Sequence, residues 1–180
     1  MATSFEQVRE RLLWKWRYAI APDPAAATEY AWQIDPEHTF HLFTCVHYPV
    51  CYCIVVGPRA GEVLEELTAE LEWIPVSDLL KAFDHFTEGK DRKGLTYALG
   101  ICSEASVDEE IVSRIRSAFG DAQPEVRLAA VDAAFVTEWD IFLPDIDRII
   151  DSDPDDFVRG TAANAKRDWT VNQHLPNTNR

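Results

Sequence analysis

The chain has 180 residues, 47% of them hydrophobic and 27% charged, a composition that excludes a disordered or fibrous polymer and fits one globular domain. Asp and Glu number 31 against 17 Lys and Arg, for a formal net charge of -14. A surface of that sign repels a phosphate backbone, so nucleic acid is excluded as a partner and a basic partner protein is favoured.

The first eleven residues read MATSFEQVRER and lack the basic-then-apolar order of a secretion signal. With Cys45, Cys51, Cys53 and Cys102, this gives the expectation of a cytoplasmic protein with reduced thiols. Phe5, Val8, Leu12, Leu13 and Trp16 fall on one helical stripe over residues 5–18, and Ser4 with Gln7 fits a capping box at its start. Asp23-Pro24 and Asp35-Pro36 each fit a further helix start, with Asp as the cap and Pro in the first turn. Residues 40–57 form the longest apolar stretch, interrupted by His41, His47 and Pro49 and preceded by no basic flank, so buried core is expected there rather than a membrane span. Its β-branched and aromatic residues also allow a hairpin turning at Tyr48-Pro49. Periodicity does not separate the two forms, and the helical neighbours favour a helix. Residues 61–73 are amphipathic, with Val63, Leu64, Leu67 and Leu71 on one side. Further helices are predicted over 76–86, 91–102, 107–119, 124–137, 141–150 and 154–169, before a loose tail. The fold class expected is all-α.

Self-comparison gives the strongest pattern. Residues 121–133, DAQPEVRLAAVDA, resemble residues 151–165, DSDPDDFVRGTAANA: each holds Asp, Pro, Val-Arg and then small residues at Ala spacing. A fainter copy starts at Asp91. Arg92, Arg127 and Arg159 then stand 35 and 32 residues apart, a period that marks stacked helical hairpins. These motifs resemble the short bacterial HEAT repeats, with the pattern D-x-x-P-x-V-R-x-x-A-A. The resemblance is good over 121–169, fair over 91–119, and rests on helix rhythm alone over 60–87. It implies an α-solenoid of HEAT-like helical hairpins over residues 58–169, a divergent N-terminal helical cap over 1–57 and a flexible tail over 170–180. It also implies that Asp121, Arg127, Asp151 and Arg159 stabilise the stack.

A catalytic site does not emerge from the sequence. His38, His41, Cys45, His47, Cys51 and Cys53 lie close together, but their spacing forms no C-x-x-C pair and the density of aromatics reads as core, so no metal is expected. The acids of Asp151–Asp156 start like an EF-hand loop, yet its sixth and twelfth positions are Asp156 and Ala162 rather than Gly and Glu. No nucleophile elbow or phosphate loop is present, and no cofactor is implied. What remains is charge: residues 121–160 hold eleven acids against three arginines. The candidate partner-binding residues are Glu109, Glu110, Asp140, Asp145 and Asp147, with Trp139 as an aromatic anchor. The expected function is a non-enzymatic binding module whose acidic solenoid surface engages a basic partner, an inhibitor or immunity protein being one form. The alternative, an enzyme subunit resembling the bilin lyases, follows from the repeat resemblance.

Overall fold

The computed structural model describes residues 15–20, 28–45, 47–48, 50–69, 74–87, 89–103 and 106–174. The chain divides into two units, residues 1–75 and 76–180. The molecule is predominantly helical, with seven α-helices among the described residues, but it is not all-α.

The first unit is an antiparallel sheet of four strands in chain order: β1 (Lys15–Ile20), β2 (Thr28–Gln33), β3 (Thr39–Thr44) and β4 (Cys51–Val56). Helix α1 (Ala60–Thr68) follows. Alternation sends Tyr30, Trp32, Phe40, Leu42, Cys53 and Val55 to one face of the sheet, where Val63 and Leu67 of α1 close the core. On the opposite face Phe43 and Tyr52 stack at 4.9 Å. Where residues 1–57 are described, the expected helical cap is a sheet. The helix expected over 5–18 is a strand where it is described, and the Asp23-Pro24 start lies outside the described residues.

The Asp35-Pro36 pair starts no helix. Asp35 accepts hydrogen bonds from the amides of Glu37 (2.8 Å) and His38 (2.9 Å), and the Ile34 amide donates to the His38 carbonyl, so the pair builds the β2–β3 turn. An aspartate that caps a helix and one that closes an Asx turn offer the same acceptor, and only the strands on either side decide between them. The hairpin alternative for residues 40–56 is the one that forms, with Cys45 donating to the Val50 carbonyl across its end.

The second unit holds α2 (Val76–His85), α3 (Gly89–Ile101), α4 (Glu109–Phe119), α5 (Pro124–Thr137), a 3-10 turn (Asp140–Phe142), α6 (Leu143–Ser152) and α7 (Asp156–His174). These match the predicted helices closely, except that the helix expected to give way to a loose tail runs on to His174. Each helix packs on the next but one, so that α2, α4 and α6 form one layer and α3, α5 and α7 the other, and the layers meet where α2 packs on α3, α3 on α4, α4 on α5 and α6 on α7. Helix starts follow from their caps: Asp108 accepts from the amides of Glu110 and Ile111, and Pro124 opens α5 where its missing N–H is harmless. The core is filled by Ile111, Ile115 and Phe119 of α4, Val126 and Val131 of α5, and Phe142, Ile146 and Val158. Small residues let α3 and α5 touch: a Cβ at Gly100 would lie 2.7 Å from the Ala133 Cα.

Candidate functional site

Arg92, Arg127 and Arg159 are each the fourth residue of their helix, α3, α5 and α7. Each donates through Nη1 to the carbonyl six residues back, at Phe86, Asp121 and Asp153. Two of them also reach the following hairpin. Arg92 Nε donates to Asp121 Oδ2 at 3.0 Å, and Arg127 donates to both oxygens of Asp153, at 2.7 and 2.8 Å. Each acceptor is held by its own turn: Asp121 Oδ1 takes the Gln123 amide and Asp153 Oδ1 the Asp155 amide. The hydrogen bonds from Arg127 hold the Asp153 carboxyl below its ordinary value, and those to Asp153 hold the Arg127 guanidinium charged.

This ladder corrects one expected residue. The counterpart of Asp121 is Asp153, not Asp151, which is exposed on α6. Aligning the two prolines shifts the copies by two residues. Counting six residues back from Arg127 and from Arg159 gives Asp121 and Asp153, the pair the ladder uses. Arg159 meets no carboxylate from another hairpin among the described residues; it pairs with Asp156 in its own helix.

The acids of residues 121–160 divide in consequence. Asp121 and Asp153 are taken by the ladder, Asp156 by Arg159, Asp145 by Arg116 (3.1 Å) and Arg148 (3.2 Å), and Asp147 by Lys166. Of the candidate partner-binding residues, Glu109 and Glu110 lie on α4, Asp145 and Asp147 on α6 and Asp140 in the 3-10 turn before α6; Asp145 and Asp147 are charge-paired, and Arg114 lies 3.6 Å from Glu110. Trp139 is not a presented anchor. It is 4% exposed and stacks on Phe142 at 6.2 Å, which makes it core. Glu109, Glu125 and Asp151 are exposed with no cationic partner among the described residues.

Two hollows lie on the second unit. One, of about 470 Å3, is lined by Phe83, Asp84, Thr87, Arg92, Ser113, Arg114 and Ser117. Its cations are already committed, Arg114 to both oxygens of Asp84 and Arg92 to Asp121. The other, of about 200 Å3, is lined by Pro124, Glu125, Leu128, Asp155, Phe157 and Val158, residues that sequence reasoning did not group.

In the first unit the His38 ring is buried between two acceptors. Nε2 donates to the Pro58 carbonyl at 2.6 Å and Nδ1 to the Asp35 carboxylate at 2.8 Å. With acceptors at both nitrogens the imidazolium is favoured, and the Pro58 carbonyl and Asp35 together raise its pKa above the ordinary 6.5. His41 bonds Glu29 of the neighbouring strand at 2.6 Å. Cys51 is exposed on β4, whereas Cys45 and Cys53 are half-buried. Among the described residues no group of three or more His, Cys, Asp or Glu is placed to hold a metal ion. No helix among them is long and apolar enough to cross a membrane. No protein family matches the chain, and comparison with known proteins and with solved structures finds no match.

Proposed function

We propose that the chain is a non-enzymatic protein-binding module, whose second unit is a short α-solenoid of HEAT-like hairpins presenting acidic surface to a basic partner protein. The two-layer helix order and the arginine placed identically in α3, α5 and α7 support the solenoid reading. The observation that carries the binding reading is the surplus of acid left once the joints are satisfied. Glu109, Glu125 and Asp151 stay exposed without cationic partners among the described residues, and such charge attracts a basic protein over a distance and speeds encounter. An inhibitor or immunity protein that masks a basic target is one form this function takes.

The test is capture from host lysate on the immobilised full chain at about 50 mM and about 500 mM salt, a range over which the Debye length shrinks several-fold. The expected result is a basic protein held at low salt and released at high salt, with direct affinity then confirmed on the purified pair. Recovery of nothing, or only of salt-independent partners, overturns the proposal and assigns the charge to solubility.

A further inference from the structure

The structure assigns the partner's point of entry. Resting on the reading of the chain as a module for basic partners, we propose that the slot between the starts of α5 and α7 receives one apolar side chain of a partner segment, flanked there by Lys or Arg.

The slot has an apolar floor and walls in Pro124, Leu128, Val158 and Phe157. Val158 is buried, whereas Phe157 is 70% exposed, the most exposed large apolar residue among the described ones. Counted back from the ladder arginines, Phe157 occupies the place that Lys90 holds in α3 and Glu125 in α5. An aromatic where the sister helices carry charge serves no packing need of the stack, and it keeps apolar surface in water until something covers it. At about 200 Å3 the hollow is below the roughly 300 Å3 at which small-molecule pockets begin, which suits a single side chain.

The rim sets the chemistry of the occupant. Glu125 and Asp155 carry carboxylates at the slot's edge, and Glu125 has no cationic partner among the described residues. Asp155 is fixed by accepting the amides of Phe157 (2.9 Å) and Val158 (3.1 Å). One hairpin earlier the places of Pro124, Glu125 and Leu128 hold Gly89, Lys90 and Lys93, and those of Asp155, Phe157 and Val158 hold Gln123, Glu125 and Val126, so of the lining only the buried valine is repeated. The complement of an apolar hollow between two carboxylates is an apolar side chain between two cations, with the charges steering and the apolar contact holding.

The test is an NMR titration of the 15N-labelled full chain with two synthetic peptides, acetyl-Gly-Lys-Lys-Leu-Lys-Lys-Gly-amide and its analogue with Ser in place of Leu, at about 50 mM salt, where surface charges are weakly screened. The leucine peptide is expected to shift the amides of Glu125, Leu128, Phe157 and Val158. Its affinity should exceed that of the serine peptide by about tenfold, the worth of one buried apolar side chain. Phe157→Ser, at an exposed site, should keep the rest of the spectrum and abolish that preference. Equal affinity for the two peptides, or shifts centred on Glu109, Asp140 and Asp145, overturns the slot while leaving the acidic module standing. No shift with either peptide at millimolar concentration overturns both. A concentration-dependent dimer that Phe157→Ser dissociates names a second copy as the occupant and overturns the proposal.

Discussion

Arg127 of α5 and Asp153 of the α6–α7 turn meet at two points, Nε to Oδ2 at 2.7 Å and Nη2 to Oδ1 at 2.8 Å, with both side chains more than nine-tenths buried. The planar guanidinium matches the carboxylate plane, and its Nη1 donates to the Asp121 and Ala122 carbonyls, so the α4–α5 and α6–α7 turns converge on one side chain.

Removing one member leaves the other buried without its counter-charge. Arg127→Leu is expected to cost the second unit about 3 kcal/mol, and the double change to Arg127→Leu with Asp153→Leu to recover most of that loss, because an apolar pair no longer strands a charge. Urea unfolding of the wild type and the two variants measures this, and equal stability of the single and double variants would contradict it.

The same pair dictates an acid limb. Asp153 has a folded pKa below its ordinary 3.8, so its contribution is present above that value and is lost as pH falls through the folded one. Unfolding free energy should drop steeply below about pH 4 in the wild type, and less steeply in Asp153→Asn, which has no proton to take up there.

His38 gives the first unit a dependence of the opposite sign. Its folded pKa lies above 6.5, so the stability it adds is complete below that pH and is lost as pH rises through the folded value. The amide signals of β2, β3 and β4 should become less protected from exchange across that rise in the wild type, and His38→Gln should flatten the change. A His38 ring signal titrating at or below 6.5 would refute the imidazolium clamp.

At Gly100 the neighbour is backbone, which has no room to give. Gly100→Ala places a Cβ 2.7 Å from the Ala133 Cα and should destabilise the second unit by about 1–3 kcal/mol. Gly160→Ala, with nothing within 4 Å of the new Cβ, should stabilise α7 by about 0.5–1 kcal/mol. Thermal melts of the two variants should move in opposite directions.

Charge reversal on α6 separates structure from recognition. Asp145 stands between Arg116 and Arg148, so Asp145→Lys gathers three cations and should cost about 1 kcal/mol, the modest scale of half-exposed pairs. The response to the leucine peptide should be unchanged once the variant is folded.

The second unit was legible because each of its helices writes one signal at a time. In α4, Asp108 marks the start and Ile111, Val112 and Ile115 keep to one side. In α5, alanines allow burial nearly all round without confusing the period. The first unit was not legible, since β3 and β4 turn Phe40, Leu42, Cys53 and Val55 to one face and Phe43, Tyr52 and Ile54 to the other, which removes the polar-apolar alternation that announces a strand. Asp35-Pro36 added a helix signal that the turn satisfies equally well. Of the candidate site, the arginines could be found from the repeat. The burial of Trp139 and the slot at Phe157 depend on how hairpins meet, and single-helix patterns do not report that.

The three arginines keep one fixed interval to their own turn carbonyl, six residues in each case, while the reach to the next aspartate is 29 residues from Arg92 and 26 from Arg127. The three-residue difference falls wholly between the joints. The stack is thus indexed by its joints and not by contour length, and insertions between α3 and α4 cost little beyond loop-closure entropy, which grows only with the logarithm of length. A chain built this way can gain or lose residues there over generations and still keep its helices in step.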